Sequence, residues 1–213
     1  MISTTTMPRD RYRAGLLVAF CIFWAASSYD SPHPLDLLLQ HTLTVPVAVL
    51  LAVRGRMVSK LSFTLVLAFM CLHVVGARFL YSYVPYDAWT EKLFGISISE
   101  IFALERNHFD RFVHLAYGLL LTYPARELHA RLLRLEGWKA WYVAVVWVMA
   151  TSMSYELIEV GVAYVMSPET AERYNGQQGD IWDAQKDMAL ATAGALIVPL
   201  IAAVAGLVKR AKA

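Results

Sequence analysis

Acidic and imidazole side chains recur inside the apolar stretches of this 213-residue chain. On insertion scales an ionisable side chain at membrane depth costs about 2.5–3.5 kcal/mol, so it persists only when it is paired, metal-bound or facing water. Such residues therefore predict a functional site. The candidate metal ligands are His73, His114, Glu156, Glu159, Asp183 and Asp187.

The spacing of these residues favours convergence on shared helix faces. Residues three or four positions apart lie on the same face of a helix. The pairs with this spacing are Asp110 with His114, Glu156 with Glu159, and Asp183 with Asp187. Neighbouring carboxylates repel one another unless a cation, an arginine or a shared proton intervenes. Arg106, Arg111 and Lys186 are the available counter-ions.

This group of residues predicts a divalent metal ion whose identity stays open. Oxygen-rich ligand sets suit Mg²⁺, Ca²⁺ or Mn²⁺, whereas a histidine ligand shifts the preference toward Zn²⁺ or iron. The expected chemistry is hydrolysis or group transfer on a membrane lipid or cell-envelope precursor, with the ion activating water or polarising an oxygen. Arg106 and Arg111 would bind a phosphate, while Asp110 would orient His114 or act as a base.

Two other interpretations of the same residues stay open. The polar groups form an ion or proton relay in the first, although the opposite halves of these helices carry few ionisable residues. In the second they are structural ion pairs that hold the helices together. His73 alone is typical of an interhelical hydrogen bond, and Asp180 and Asp183 are typical of a helix N-terminus.

The elements that position these residues are predicted to be membrane-spanning helices in an all-α bundle. With 58% hydrophobic and 17% charged residues, the composition favours a single integral membrane domain over residues 1–213. About 20 apolar residues span a bilayer, and six segments approach that length. They are 14–29, 35–53, 61–84, 108–125, 138–166 and 185–208. The stretch 86–106 is too polar to span and is predicted to be an extracytoplasmic or interfacial amphipathic segment.

Charge predicts the orientation and excludes one class of partner. Lysine and arginine gather at both termini and in two connections between helices, so six spans would place both termini in the cytoplasm. The acidic connections then lie outside. The basic residues include Arg9, Arg11 and Arg13 at the N-terminus and Lys209, Arg210 and Lys212 at the C-terminus. The net charge of +2, with no aromatic-interleaved basic patch, argues against nucleic acid, and the oligomeric state stays open.

Four stretches of the sequence carry a resemblance to a known family. These are Leu72–Gly76 with Tyr81 and Val84–Pro85, Arg106–Arg111 with His114, Tyr155–Glu159, and Gly179–Gln185 with Asp187–Met188. At these positions the chain resembles the YjdF-like family of uncharacterised bacterial inner-membrane proteins. Val74 and Arg78 depart from the family pattern, which is associated with Glu and His there. The resemblance implies an inner-membrane location and a helical fold, but no activity.

A fainter similarity is to VanZ-like proteins, on the helix start Asp110–His114 and the acidic residues of the later helices. It implies, by analogy only, a role in cell-envelope chemistry.

Overall fold

The computed structural model describes residues 10–211 and contains no strand within that range. Its α-helices, in chain order, are α1 Arg11–Ser28, α2 Pro34–Arg54, α3 Lys60–Arg78, α4 Tyr86–Phe94, α5 Ile98–Ile101, α6 Phe109–Leu133, α7 Gly137–Val165, α8 Pro168–Asn175 and α9 Asp183–Ala211. A short 3-10 turn, Gly55–Met57, follows α2. Residues 1–9 and 212–213, with Arg9 and Lys212 used above for orientation, lie outside the described residues.

The helix boundaries follow from local sequence. The Asp10 side chain accepts a hydrogen bond from the Arg13 backbone N–H and caps α1, and Ser59 caps α3 in the same way. These bonds satisfy backbone donors that the first helical turn leaves free. Pro168 occupies the first turn of α8, where a missing N–H has no cost. Gly95 ends α4 in the left-handed conformation that glycine adopts readily.

Six long helices stand where the sequence predicts six spans, and four of them have the length and composition of a membrane span. These four are Asp36–Met57, Lys60–Arg78, Gly137–Val165 and Asp183–Gly206. The other two long helices, α1 and α6, do not meet both criteria, so the count of six spans and the cytoplasmic termini stay predictions. Two predicted boundaries were wrong. The third helix ends at Arg78 rather than residue 84, and the fourth continues to Leu133 rather than ending at 125.

The connections between the long helices gather at two ends of the bundle. One end carries the connections whose sequences are acidic, and we call it the acidic end. There Arg78 donates to the Tyr29 carbonyl at 2.9 Å and Arg173 donates to Asp36 at 3.2 Å. These bonds join the α1–α2 connection, the end of α3 and α8. At the other end, the Glu127 side chain of α6 accepts from the Ser59 backbone N–H at 2.8 Å. Successive long helices therefore run in alternating directions.

Small residues bring α6 and α9 into backbone contact. A Cβ atom at Gly118 would lie 2.1 Å from the Ala191 carbonyl oxygen, and one at Gly194 would lie 2.5 Å from the Leu115 carbonyl oxygen. Ala191 and Ala195 are fully buried in this seam. Close backbone approach through small residues is a common way for membrane helices to associate. The seam fixes the register of α6 against α9, and with it the level at which their polar residues meet.

The predicted amphipathic segment 86–106 forms the two short helices α4 and α5. Asp87 joins them, because its carboxylate accepts hydrogen bonds from the Ser99 backbone N–H at 2.9 Å and the Ser99 hydroxyl at 2.6 Å. Neither helix contains a buried residue. The placement of the segment at the membrane interface stays a prediction.

Candidate functional site

Three buried side chains from α6 and α9 meet near the acidic end of the bundle. Asp110, His114 and Asp187 each offer one ligand atom, and these atoms lie within 4.8 Å of one another. Asp110 Oδ1 lies 3.7 Å from His114 Nε2, as expected for residues one helical turn apart. We call these three residues the acid–histidine group. The α6–α9 seam brings the group together, since Asp187 lies one turn before Ala191 and His114 one turn before Gly118.

Helix α7 adds the two predicted glutamates beside the acid–histidine group. Glu156 is 5% exposed, and its Oε1 lies 3.7 Å from His114 Nε2. Glu159 is half-buried and close enough to Glu156, Asp110 and Asp187 for its charge to interact with theirs. The structure therefore places five of the predicted site residues on three helices around one point.

Several buried polar atoms at this point have no hydrogen-bond partner within the described part of the chain. They are Oε1 of Glu156, Oδ1 of Asp187 and the hydroxyl oxygen of Ser152. Ser152 lies one turn before Glu156 and is 3% exposed. Buried polar atoms nearly always have a partner, so an unpaired set points to a ligand, an ion or water. Ser152 was absent from the sequence-based set, although its spacing of four positions from Glu156 places both residues on one helix face.

The two arginines form a separate cluster with Asp180 and Asp183. Arg106 donates to Asp183 at 2.7 Å, and Arg111 lies 3.4 Å from the same carboxylate and also pairs with Asp180. Lys186 donates to Asp180 at 2.6 Å. This bond, with the Trp182 backbone N–H and Arg111, lowers the pKa of Asp180 to about 2. We call the two arginines and two aspartates the arginine–aspartate cluster.

Asp183 is engaged by this cluster and is not one of the three residues of the acid–histidine group. Asp183 is 4% exposed and is paired with both arginines, whereas Asp187, one turn along α9, belongs to the acid–histidine group. Each arginine also keeps one buried nitrogen that has no partner among the described residues, Nη2 of Arg106 and Nε of Arg111. Within the cluster, the hydrogen-bonding groups of the two aspartates are therefore more completely paired than those of the two arginines.

His73 does not belong to the acid–histidine group. Its Nε2 lies 2.8 Å from the Thr44 hydroxyl on α2, and its Nδ1 lies 2.5 Å from the Tyr81 hydroxyl. Both ring nitrogens are thus engaged, which matches the interhelical hydrogen bond considered above. The two departures from the family pattern do not reach the group either. Val74 is fully buried in an apolar cluster, and Arg78 donates to the Ser27 carbonyl at the end of α1 and the Tyr29 carbonyl in the α1–α2 connection.

An apolar cavity of about 400 Å³ reaches from the acid–histidine group between α2, α3, α6 and α7. Its polar lining includes Asp110, His114, His73 and Tyr81, together with Thr44, Tyr117, Thr151, Ser152, Ser154 and Tyr155. The remaining lining is mostly apolar and includes Leu43, Val47, Val66, Phe69, Met70, Val113, Leu121, Trp147 and Ile158. α2 and α7 form facing walls but are not among the helix pairs in extensive contact. The volume falls in the range typical of small-molecule sites.

Comparison with known proteins agrees with this architecture. Residues 12–207 match the family described as "Predicted membrane protein (DUF2238)". The Inner membrane protein YjdF of Escherichia coli (strain K12) is 33% identical over 184 residues, covering 84% of this chain and 82% of that protein. No solved structure matches the chain, and the similarity to VanZ-like proteins stays a prediction. The predicted YjdF-like resemblance is confirmed: the chain is a multi-pass inner-membrane protein that belongs to the DUF2238 family.

Proposed function

We propose that this protein is a metal-dependent hydrolase or transferase that acts on a lipid or cell-envelope substrate within the membrane. The observation that carries the proposal is the position of the acid–histidine group at the polar part of an apolar cavity. A metal would sit where ionisable and apolar surfaces meet. That arrangement suits a substrate with a polar headgroup and a hydrocarbon tail.

The ligand set supports a divalent cation. Asp110, His114 and Asp187 would hold the ion, and Glu156 would supply a further oxygen beside His114. Buried carboxylates this close repel one another, and a cation removes that repulsion. A mixed set of carboxylate and imidazole ligands fits Zn²⁺ or Mn²⁺ better than Ca²⁺. The ion would polarise a phosphoryl or acyl oxygen, or activate a water molecule.

The arginine–aspartate cluster supports recognition of an anionic headgroup. Nη2 of Arg106 and Nε of Arg111 are buried donors without a partner among the described residues. Guanidinium groups bind phosphate and carboxylate oxygens through paired hydrogen bonds. Both arginines pair with Asp183 on the α9 turn that precedes Asp187. A headgroup near the ion would therefore lie beside two guanidinium groups whose charges are largely balanced by Asp180 and Asp183 but which each keep a buried nitrogen without a partner among the described residues.

The walls of the cavity support a lipid as the substrate. On the cavity side, α2 and α7 carry the apolar residues Leu43, Val47, Trp147 and Ile158, which suit contact with an acyl chain. A tail could enter sideways between these helices, because they make little contact. An acyl chain that leaves the bilayer for this cavity meets a similarly apolar environment, so its transfer costs little. A charged water-soluble substrate would instead lose its hydration there.

A structural role is the second candidate, and one observation favours it. Asp180 and Asp183 are engaged by Arg106, Arg111 and Lys186, which ties the start of α9 to the start of α6. In this interpretation the ion pairs stabilise the bundle and the acid–histidine group only adds to them. The structural candidate predicts that no metal copurifies with the protein.

Elemental analysis of the purified protein tests the proposal. We expect a stoichiometric transition metal in the native protein, isolated without chelator or polyhistidine tag, and its loss in a His114→Gln, Asp187→Asn double variant. Glu172→Gln is the matched control, since Glu172 is an exposed acid on α8. Thermal unfolding in detergent checks that the double variant stays folded. Native protein without stoichiometric metal would overturn the metal mechanism and favour the structural candidate.

A further inference from the structure

A continuous hydrogen-bonded chain of side chains leads from α1 to the cavity. The Trp24 indole N–H donates to His41 Nε2 at 3.0 Å, and His41 Nδ1 lies 3.3 Å from the Thr44 hydroxyl. Thr44 contacts His73 Nε2 at 2.8 Å, and His73 Nδ1 contacts the Tyr81 hydroxyl at 2.5 Å. His41, Thr44, His73 and Tyr81 are all buried. Nothing in the metal proposal uses this chain.

The first member gives the chain a direction. An indole N–H can only donate, so it makes Nε2 of a neutral His41 the acceptor and leaves the proton on Nδ1. In the direction that this donor favours, Nδ1–H donates to Thr44 and the Thr44 hydroxyl donates to His73 Nε2, in competition with the Gln40 backbone carbonyl, which is the alternative acceptor near the His73 ring. His73 in turn carries its proton on Nδ1 and donates it to the Tyr81 oxygen. The Tyr81 proton is thereby left free to be donated elsewhere.

Three features hold Tyr81 in place beside the cavity. Its backbone lies in the left-handed region at φ 56°, directly after Leu80 at φ 50°, and such conformations in residues other than glycine carry strain. Its ring packs over Gly76, where a Cβ atom would lie 2.5 Å from the ring. It lines the same cavity as Asp110 and His114. The backbone conformation and the packing over Gly76 therefore fix the position of the Tyr81 side chain, whose hydroxyl group lies at the cavity.

We infer that Tyr81 donates its hydroxyl proton in a hydrogen bond to a headgroup oxygen of a lipid held in the cavity, and that the chain from Trp24 fixes this direction. The inference rests on the proposed lipid substrate. The oxygen belongs to an ester carbonyl or a phosphate, since both accept hydrogen bonds. Tyr81 is then a binding residue, and Trp24, His41, Thr44 and His73 are positioning residues that act through it.

The direction of the chain can be measured without lipid turnover or metal. Nitrogen NMR of ¹⁵N-histidine-labelled protein in bilayers distinguishes the two neutral tautomers, and His41→Gln and His73→Gln variants assign the resonances. We expect His41 and His73 to carry the proton on Nδ1. Trp24 and Ser28 both contact His41 Nε2 and are the two outer donors of the chain. Removing both, in a Trp24→Phe, Ser28→Ala double variant, should shift His73 toward the Nε2–H tautomer. A native His73 with its proton on Nε2 overturns the inference.

The acceptor can be identified with two lipid probes. Native mass spectrometry titrations would compare the native protein with Tyr81→Phe, using phosphatidylglycerol and diacylglycerol, which share ester carbonyls but differ in the phosphate. Loss of the hydrogen bond should weaken binding about 5- to 20-fold. Weakening for both lipids identifies a carbonyl acceptor, and weakening for phosphatidylglycerol alone identifies a phosphate. Unchanged affinity for both overturns the inference.

These outcomes are separable from those of the metal experiment. Tyr81→Phe should retain the metal content of the native protein, because Tyr81 is not among the residues of the acid–histidine group. Metal-free protein with His73 in the Nδ1–H tautomer would remove the proposed mechanism but keep the direction of the chain. Metal-loaded protein with His73 in the Nε2–H tautomer would do the reverse.

Discussion

Gly118 of α6 lies directly against the carbonyl group of Ala191 on α9, with room for a hydrogen atom but not for a methyl group. This contact sets the two helices in the register that brings His114 and Asp187 together. The polar site thus depends on a residue that has no side chain and no charge.

Replacing Gly118 should therefore damage stability and site together. In Gly118→Ala the new Cβ meets backbone rather than a flexible side chain, so α6 and α9 must separate. We expect a destabilisation of about 1–3 kcal/mol, the usual range for overpacking, and weaker metal retention. The measurement is the free energy of unfolding in detergent together with metal content. Gly161→Ala on α7 is the control, because nothing lies within 4 Å of its added Cβ. Equal effects of the two changes would show that the close contact between α6 and α9 at Gly118 does not determine stability.

Acid should weaken the start of α9 through Asp180. The pKa of Asp180 is lowered from 3.8 to about 2, first by the hydrogen bond from Lys186. A lowered pKa in the folded state means that its contribution to stability is complete above about pH 4 and is lost as the pH falls toward 2. Thermal unfolding measured between pH 6 and pH 2 should show less decline in Asp180→Asn than in the native protein. The same slope in both proteins would show that Asp180 is not held by its ion pairs.

Glu127 should be more important for stability than its exposed partner Arg131. The Glu127 carboxylate accepts from the Ser59 backbone N–H at 2.8 Å and the Ser62 hydroxyl at 2.5 Å, so it caps α3 from α6. We expect Glu127→Ala to cost about 2 kcal/mol, the range for hydrogen bonds to a charged group. Arg131→Ala should cost under about 1 kcal/mol, since the Arg131 side chain is 54% exposed. Chemical unfolding of both variants tests the difference, and a larger loss for Arg131→Ala would contradict it.

Filling the cavity should reduce lipid binding without disturbing the metal. Val47 lines the cavity from α2, so Val47→Trp places a large ring where we propose that an acyl chain lies. We expect at least about a tenfold loss in affinity for phosphatidylglycerol, which corresponds to about 1.4 kcal/mol, with unchanged metal content. Val49→Trp is the matched control, because Val49 is 56% exposed on the same helix. Equal affinities of the two variants would exclude the cavity as the lipid site.

Hydrophobic run length and helical spacing were enough to predict the long helices and the pairing of polar residues along each helix. Asp110 with His114 is the clearest case, since residues four apart on a helix must share a face. The boundaries were less accurate. The third helix was predicted to include Leu80 and Tyr81, but both adopt left-handed backbone conformations that end it.

Contacts between helices were harder to predict than spacing within them. Asp183 and Asp187 have the spacing of a shared face, yet one lies with two arginines and the other with His114 and Asp110. The difference arises because Arg106 and Arg111 reach the start of α9, which no local pattern encodes. The seam at Gly118 and Gly194 was likewise missed, because a lone glycine in a helix has several explanations without knowledge of its neighbour.

The facing walls of α2 and α7 have a consequence for any assay of this protein. A ligand that enters between them from the acyl-chain region is never dissolved in water, so its occupancy depends on its mole fraction in the leaflet. Adding detergent would then dilute the ligand on the micelle surface even at constant total amount. Binding or turnover should therefore be compared at fixed lipid-to-detergent ratio, or in bilayer discs whose composition is known.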